Sequence, residues 1–341
     1  MTISIGNKKI GLGQPFYIIA EAADNHLGNM ERAKEMAVKA KAAGADAVKY
    51  QHHLPDEEML PNIPMSDNFE EPLYEFLKKY ALTLEQHKEL KKYCEEIGIQ
   101  YMCTPFSLKA AQELETIDVD FYKIGSGEMT DVPTLERIAD FGKPMIVSTG
   151  MCTYEEIDRT YKALVAKKVP LALMYCISEY PPVYEDCNLN VILEMVKRYP
   201  EAIIGQSDHT PDPYTCFAGA ALGALIFEKH VTLDHALPGP DRDVSIDFSE
   251  FAVLVDGLRK IEKALVNTKK VHDKETKIRE WAFRSLVSVS RIPRGTVISD
   301  AMIWSKRPGI GIPSWRMKEV IGKRAKNDIE RNTLISFDDI E

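Results

Sequence analysis

Two histidines at the ends of apolar runs are the residues of this 341-residue chain that point most directly to chemistry. His209 closes the sequence GQSDH and His230 closes the sequence FEKH, and the run before each histidine has the residue types of a β-strand. Imidazoles presented by neighbouring strand ends suit a divalent ion such as Mn²⁺ or Zn²⁺. The pair therefore predicts a metal-dependent enzyme.

Further polar side chains follow the other strand-like runs. Two lysines and several hydroxyls among them suit a phosphate and a carboxylate, because these groups donate hydrogen bonds to anions. Lys49 and Gln51 share one strand face, as do Glu228 and His230, so each pair is expected to face the same bound molecule. These residues predict a small substrate with two anionic groups. In chain order they are Glu21, Asn25, His26, Lys49, Gln51, Thr104, Lys123, Ser126, Glu128, Ser148, Ser178, Tyr180, Ser207, Asp208, His209, Glu228 and His230.

Eight strand-like runs alternate with eight helical patterns and must position these side chains. The runs cover residues 16–20, 47–51, 100–104, 121–124, 145–148, 171–176, 202–206 and 225–228. The helical patterns cover residues 30–43, 84–97, 108–115, 132–141, 154–166, 190–198, 214–222 and 248–265. This strict β-then-α order predicts a (β/α)8 TIM barrel, whose active face lies at the carboxyl ends of its strands. A doubly wound parallel sheet is the alternative architecture.

The pattern changes after residue 268. A charged segment leads into short β-type runs at 285–289, 296–298 and 302–306, which are broken by the turn sequences PRG and RPGIG. Such a shift in composition is typical of a linker followed by a separate domain. We therefore predict a barrel domain at 1–268, a linker at 269–283 and a small β-rich domain at 284–341.

Composition argues against several classes of protein. A formal charge of −9 disfavours nucleic-acid binding, and no apolar run approaches the roughly 20 residues that a membrane span needs. The first ten residues lack the basic-then-apolar order of a secretory signal, and the six cysteines form no CxxC pair. We expect a cytoplasmic protein with reduced thiols that binds neither nucleic acid nor membranes.

A series of motifs, ordered along almost the whole chain, resembles the sialic acid (nonulosonic acid) synthase family. In the barrel they are IIAEAADNH at 18–26, AVKYQ at 47–51, CTPFS at 103–107, YKIGSGE at 122–128, VSTGM at 147–151, CISEYP at 176–181, SDHT at 207–210, EKHVTLD at 228–234 and GPD at 239–241. Near the end, KRPGIG at 306–311 and IGKRA at 321–325 resemble the family's C-terminal antifreeze-like (SAF, β-clip) domain. So many motifs in one order make the resemblance specific.

The resemblance implies a metal-dependent condensation of phosphoenolpyruvate with an N-acetylated hexosamine, which gives a nine-carbon sugar acid and, by C–O cleavage, phosphate. By position, His209 and His230 would hold the metal, with Mn²⁺ expected first and Mg²⁺ or Co²⁺ as alternatives. The candidate catalytic residues are Glu21, Glu128, His209 and His230. The positions that match phosphoenolpyruvate-binding residues are Lys49, Thr104, Lys123, Ser126, Ser148, Ser178 and Ser207. Those that match the sugar side are Gln51, Asn68, Tyr180, Glu228, Asp241 and Arg307.

The resemblance also bears on the sugar and on assembly. In N-acetylneuraminate enzymes, asparagine usually stands where this chain has Ser178, and serine or threonine there is typical of the legionaminic and pseudaminic acid branches. The expected sugar is therefore N-acetylmannosamine or a 2,4-diacetamido-6-deoxy hexose. In the family the C-terminal domain caps the barrel of the other subunit. This implies a domain-swapped homodimer in which Arg307 reaches the N-acetyl group of the sugar.

Two other functions stay open from the residues alone. Lys49 or Lys123 could form a Schiff base with a carbonyl substrate, as in a class I aldolase. The chain could instead be a non-catalytic binding protein whose antifreeze-like domain is the recognition surface. His26, His52 and His53 are expected to be surface residues or supports of the site.

Overall fold

The computed structural model describes residues 1–64, 69, 71–266 and 268–341, and it divides the chain into two units. The first unit is Met1–Leu265 and the second is Val266–Glu341. Within these described residues, no helix combines the length and the apolar character that a membrane crossing requires.

The first unit begins with an antiparallel hairpin and continues as eight parallel strands. The hairpin consists of β1 (Thr2–Ile5) and β2 (Lys8–Gly11). The parallel strands are β3 (Tyr17–Glu21), β4 (Ala47–His52), β5 (Gln100–Pro105), β6 (Tyr122–Ile124), β7 (Met145–Ser148), β8 (Leu171–Cys176), β9 (Ile203–Asp208) and β10 (Ile226–Thr232). A two-residue strand, β11 (Ile246–Asp247), extends the edge of β10.

The first and last of the eight strands pair with each other. His230 in β10 is in register with Glu21 in β3, and the other strands pair in chain order. Over the described residues, only the edge between β5 and β6 lacks a hydrogen-bonded ladder. Pairing of first with last strand distinguishes a barrel from an open doubly wound sheet, so the predicted TIM barrel is confirmed.

Helices cover the outside of the barrel and connect its strands. They are α1 (Met30–Ala42), α2 (Pro55–Glu58), α3 (Leu73–Tyr80), α4 (Leu84–Ile97), α5 (Leu108–Thr116), α6 (Val132–Ala139), α7 (Tyr154–Ala166), α8 (Asn190–Arg198), α9 (Tyr214–Leu222) and α10 (Phe248–Ala264). Capping hydrogen bonds mark the start of several of them. At α7, the Thr153 hydroxyl accepts a hydrogen bond from the Glu156 N–H, and the Glu156 carboxylate accepts one from the Thr153 N–H. Short 3₁₀ helices occur at Tyr184–Cys187 and Arg242–Val244.

The barrel interior has an apolar lower part and a polar upper part. The apolar part includes Tyr17, Ile19, Met102, Phe121, Ile146, Met174 and Ile226. Ile3, Ile5 and Ile10 of the hairpin belong to the same buried cluster, so the hairpin closes the lower end of the barrel. Sequence analysis did not predict the hairpin. Because apolar side chains fill this end, the polar strand ends are left to form a site at the other.

The second unit holds a helix and a small β-structure with its own core. Helix α11 (Asp273–Ala282) lies in the segment that the sequence suggested as a linker. Strands β12 (Ser285–Ser288) and β13 (Ile303–Lys306) pair antiparallel, whereas the predicted run at 296–298 forms only an isolated bridge between Val297 and Arg324. The core includes Leu286, Ile292, Ile303, Val320 and Ile335, and 3₁₀ helices occur at Asp300–Met302, Ser314–Glu319 and Phe337–Asp339.

Candidate active site

A cavity of about 390 Å³ opens among the carboxyl ends of the barrel strands. Every described residue of the first unit that the family resemblance assigned to catalysis or substrate binding lines it, whereas Asn25, His26 and Asp208, which were named with the other strand-end polar residues, do not. The lining residues among them are Glu21, Lys49, Gln51, Thr104, Lys123, Ser126, Glu128, Ser148, Ser178, Tyr180, Ser207, His209, Glu228, His230 and Asp241. Their convergence follows from the fold, because parallel strands present their carboxyl ends at one face of a barrel.

Two buried lysines and their partners form one side of the cavity. Lys49 Nζ lies 2.8 Å from Glu21 Oε2 and 2.9 Å from Glu228 Oε1. Lys123 Nζ donates to Ser148 Oγ at 2.7 Å and lies 3.6 Å from Glu228 Oε1. Thr104 and Ser207 complete the group through hydrogen bonds to Lys49 and Glu228, respectively. We refer to this group as the lysine half: Glu21, Lys49, Thr104, Lys123, Ser148, Ser207 and Glu228.

The ammonium groups of Lys49 and Lys123 lower the pKa of Glu228, the carboxylate that both lysines contact. Burial lowers the pKa of Lys49 to about 8, although Glu228 opposes that shift. Burial alone would raise the pKa of Glu228, but Lys123 and Lys49 outweigh it and hold this pKa at about 2. At neutral pH the lysine half therefore presents an ionised carboxylate between cationic groups.

Two glycines let side chains of the cavity wall approach the backbone closely. A Cβ at Gly150 would lie 2.2 Å from Ser178 Oγ and 2.8 Å from Ser126 Oγ, and the Gly150 N–H donates to Ser126 Oγ at 3.0 Å. A Cβ at Gly125 would lie 2.5 Å from Glu128 Oε2. The GSG and STG sequences thus leave room for these hydroxyl and carboxyl groups.

His209 and His230 face each other on the other side of the cavity. Their ring centroids are 5.2 Å apart, and Tyr180 stacks on His209 at 4.3 Å. His209 Nδ1 donates to the carbonyl oxygen of Ile177 at 2.6 Å. Burial lowers the pKa of His209, but Cys176 outweighs it, so this pKa lies above its ordinary value, and Nε2 has a lone pair in the neutral form of the ring. His230 Nδ1 is buried without a hydrogen-bond partner and lies 3.8 Å from Asp241 Oδ2. We refer to Tyr180, His209, His230 and Asp241 as the histidine half.

The chemistry of the histidine half fits a divalent cation. Burial, reinforced by the neighbouring His209, lowers the pKa of His230 well below its ordinary value, so the ring is neutral. A neutral imidazole with a free, buried nitrogen is the form that binds a metal ion. In the histidine half the described residues offer two imidazoles, and further ligands would come from substrate or water. The described part of the chain has one set of three closely spaced ligand atoms, on His235, Asp247 and Glu250, which lies outside the cavity.

Lys229 ties the two histidines together, although sequence analysis did not single it out. Its fully buried ammonium group lies 2.5 Å from Asp208 Oδ2 and donates to the backbone carbonyl of Thr210. Asp208 and Thr210 flank His209, and Lys229 itself precedes His230. One side chain therefore fixes the strand end that carries one histidine to the strand that carries the other.

Glu128 has the environment of a group that exchanges protons near neutral pH. Burial raises its pKa to about 7, and its Oε2 atom has no hydrogen-bond partner. Glu228, in contrast, is held in the ionised form by two lysines. A carboxyl group whose pKa lies near neutral pH is suited to proton exchange, and Glu128 has this property whereas Glu228 does not.

Other cavity residues were missed or misplaced by sequence analysis. Asp24, His53 and Phe106 line the cavity, and His53 has the same strand parity as Lys49 and Gln51, which is the signal that could have identified it. His26, His52 and His53 were expected either at the surface or as supports of the site, and their exposed fractions of 0%, 1% and 7% exclude the surface.

Two further sugar-side residues were proposed from the sequence. Asn68 lies outside the described residues. Arg307 belongs to the second unit, where its guanidinium lies over the Trp281 ring at 5.3 Å and its Nε donates to the Ala282 carbonyl at 3.2 Å.

Known proteins resemble this chain over nearly its whole length. The NeuB family matches residues 36–270, and the SAF domain matches residues 283–341. An uncharacterised protein of Methanocaldococcus jannaschii is 37% identical over 99% of this chain and 98% of its own length. The N,N'-diacetyllegionaminic acid synthase of Campylobacter jejuni is 33% identical over 93% of this chain and 98% of its own. A crystal structure of the sialic acid synthetase of Leptospira borgpetersenii, in complex with citrate, has 32% identity and a TM-score of 0.74 over 82% of this chain and 95% of that one.

Proposed function

This chain belongs to the NeuB family and carries a SAF domain at its C-terminal end, and from this premise we propose that it condenses phosphoenolpyruvate with an N-acetylated hexosamine. The products are a nine-carbon 2-keto sugar acid and phosphate. Relatives of the chain are nonulosonic acid synthases, which supports this reaction class.

One observation carries the proposal: the lysine half and the histidine half line the same cavity. Phosphoenolpyruvate has a phosphate and a carboxylate, which two buried ammonium groups and nearby hydroxyls suit. The carbonyl oxygen of an aldehyde sugar must be polarised for attack, and a metal ion held by the two imidazoles of the histidine half would do this. The two reactants would then meet between the halves.

The reaction forms one carbon–carbon bond and breaks one carbon–oxygen bond. The methylene carbon of phosphoenolpyruvate attacks the aldehyde carbon of the sugar, and the aldehyde oxygen takes up a proton. Water adds to C2 of the phosphoenolpyruvate portion and loses one proton. The C2–O bond to phosphate then breaks as the new C2 hydroxyl passes its proton to the departing phosphate and becomes the keto oxygen. Lys49, Lys123 and Ser148 would hold the departing phosphate, because fixed donors stabilise charge without reorganising. Glu128, with its pKa near 7, would move a proton.

His209 and His230 would hold the divalent metal, for which we propose Mn²⁺, with Mg²⁺ and Co²⁺ as alternatives. When bound, such an ion supplies Lewis acidity toward the carbonyl oxygen. The lone pair on His209 Nε2 and the unpartnered His230 Nδ1 support this assignment.

For the sugar, we propose N-acetylmannosamine or a 2,4-diacetamido-6-deoxy hexose. Ser178 at the cavity wall and the similarity to a diacetyllegionaminic acid synthase support the second group. We also propose a domain-swapped homodimer in which Arg307 contacts the sugar, which analytical ultracentrifugation and an R307A variant would test. An unchanged KM for the sugar in R307A would remove this residue from the site.

A class I aldolase is the second candidate, and the low pKa of Lys49 favours it. Burial brings this pKa to about 8, which increases the fraction of neutral amine. Lys49 is nevertheless held by two carboxylates and Thr104, which restrict attack on a carbonyl. Borohydride in the presence of pyruvate would trap a Schiff base and decide for the aldolase.

Phosphate release from phosphoenolpyruvate tests the proposed synthase. The assay contains Mn²⁺ and compares N-acetylmannosamine with the 2,4-diacetamido-6-deoxy hexoses, and an EDTA sample serves as control. We expect release that requires a sugar and stops with EDTA. Absence of release with every sugar would contradict the proposal.

A further inference from the structure

We propose that His53 is a positioning residue for the sugar: it donates one hydrogen bond to Glu58 and another to Gln51, and so fixes the orientation of the Gln51 amide. The effect on the sugar rests on the proposed function, whereas the hydrogen-bonding state of His53 does not. His53 stands two residues beyond Gln51, at the cavity wall between the end of β4 and α2.

The ring of His53 is held on both edges and on one face. Its Nδ1 lies 2.9 Å from Glu58 Oε1, and its Nε2 lies 3.0 Å from Gln51 Oε1. Phe106 stacks on the ring with centroids 4.0 Å apart and planes 19° apart. Such a ring has little freedom to turn, so its two nitrogens are directed at two fixed oxygens.

Both hydrogen bonds require His53 to carry two N–H groups. A carboxylate oxygen and an amide oxygen only accept hydrogen bonds, and a neutral imidazole has a single N–H. The imidazolium form satisfies both partners. Burial lowers the pKa of His53, but Glu58 and Asp24 outweigh it, so the pKa lies above its ordinary value. The other titratable groups around the ring are Glu128, Asp241, His26, His52 and His87.

Gln51 is thereby oriented from both ends. Its Oε1 accepts from His53, and its Nε2 donates to Glu21 Oε1 at 3.1 Å. A flipped amide would set its NH₂ against the His53 N–H and its oxygen against the Glu21 carboxylate, which is unfavourable on both sides. The NH₂ group has a second hydrogen, which remains available for an acceptor oxygen of the sugar.

The contacts form a chain across the cavity. Glu58 bonds His53, His53 bonds Gln51, Gln51 bonds Glu21, and Glu21 pairs with Lys49. Position 53 is thus linked to the lysine half through side chains alone. Loss of the His53–Gln51 bond should act first on the sugar, because Lys49 keeps its bonds to Glu228 and Thr104.

Two conservative variants separate the bond to Gln51 from the bond to Glu58. The amide nitrogen of glutamine can replace Nε2 of histidine, and that of asparagine can replace Nδ1. H53Q should therefore keep the donor to Gln51, and H53N should keep the donor to Glu58. We expect H53N to raise the KM for the sugar about tenfold while H53Q stays near the wild type, with the KM for phosphoenolpyruvate unchanged in both. H235N, at an exposed histidine outside the cavity, is the matched control.

Equal losses in H53Q and H53N, or parallel changes in both KM values, would assign His53 a merely structural role. A second measurement is independent of turnover: ¹⁵N NMR of histidine-labelled protein, with the His53 signal identified by its absence in H53Q. At pH 6.5, the ordinary pKa of histidine, we expect most His53 rings to carry two N–H groups. A predominantly neutral His53 would overturn the inference. If the wild type releases no phosphate with any sugar but His53 is doubly protonated, only the proposed function and the sugar effect fail.

Discussion

In the lysine half, Lys49 has carboxylate oxygens at 2.8 and 2.9 Å, whereas in the histidine half His230 Nδ1 has no hydrogen-bond partner and the nearest Asp241 oxygen is 3.8 Å away. The two side chains are equally buried, with exposed fractions of 4% and 6%, so access to solvent does not explain the difference. A buried polar atom without a partner is costly unless a ligand completes it. The comparison teaches that ion pairs within the protein organise the lysine half, although Glu228 Oε2 also lacks a hydrogen-bond partner, whereas the histidine half leaves an imidazole nitrogen open for the ion that we propose there.

Removal of a histidine tests the second part of this comparison and should have the largest effect. We expect H209A to show no detectable Mn²⁺-dependent turnover while its circular dichroism and Tm remain close to those of the wild type. The reason is that His209 supplies one of the two imidazoles of the histidine half. H235A, in the surface set with Asp247 and Glu250, is the control and should retain full activity. Retained turnover in H209A, or loss in H235A, would place the metal elsewhere.

Removal of an ammonium group tests the organisation of the lysine half. We expect K123M to reduce kcat/KM for phosphoenolpyruvate by about 10²–10³-fold, because a fixed donor to the developing phosphate charge is lost. Steady-state kinetics with the sugar at saturation measures this. K92M removes an exposed lysine from α4 and should match the wild type. A loss in K123M no larger than that in K92M would contradict an anion-binding lysine half.

Lys229 allows the geometry of the histidine half to be disturbed without touching a histidine. We expect K229M to weaken Mn²⁺ binding about 10–100-fold, measured by electron paramagnetic resonance without substrates. Loss of the buried charge pair with Asp208 should also reduce the free energy of unfolding by about 3–5 kcal/mol. K229R should recover part of both. If Mn²⁺ binds K229M as tightly as the wild type, Lys229 supports only the fold.

Gly150 offers a milder disturbance near the lysine half. A methyl group there would meet Ser178 Oγ and Ser126 Oγ, so we expect G150A to raise the KM for phosphoenolpyruvate about tenfold. Gly127 lies in the neighbouring loop, and a Cβ there would meet nothing within 4 Å. The effect of G127A should therefore be clearly smaller. Equal effects would show that loop flexibility, and not the space for the two hydroxyls, is what matters.

Glu128 should produce the smallest change, in the pH dependence of stability. Its folded-state pKa of about 7 exceeds its ordinary value of 4.5, so the folded protein prefers the neutral carboxyl. The corresponding stability is present below pH 4.5 and is lost as the pH rises to 7. E128Q lacks this titration. We expect the Tm of E128Q to rise relative to that of the wild type between pH 5 and pH 8, and a constant difference would show that Glu128 titrates normally.

Sequence alone predicted the barrel because each of its strands is buried and therefore forms an apolar run. Polar residues at the run ends identified the cavity, since a barrel brings strand ends together. The β1–β2 hairpin was missed even though Ile3 and Ile5 alternate with polar residues before the turn at Gly6. Such short strands depend on the surface against which they pack, and the sequence does not show that surface.

The supporting contacts could not be predicted. Lys229 points away from the faces of Glu228 and His230, and its partners lie on β9 and the following loop, 19 and 21 residues away in sequence. The hydrogen bond between His53 and Gln51 is local in sequence. The orientation of the His53 ring, however, depends on Glu58 in α2 and on Phe106, which follows β5, and folding brings both to the same ring. Burial and charge at these positions arise only after folding.

The β1–β2 hairpin closes the lower end of the barrel, so the cavity opens at the other end. Ile3, Ile5 and Ile10 block passage along the barrel axis, so reactants and products share the opening at the strand ends. A single opening imposes an order of binding and release, because a molecule bound deeper in the cavity can leave only after the one nearer the opening has left. Under the proposed reaction, release of the last product, and not only the chemical step, would therefore limit the turnover rate.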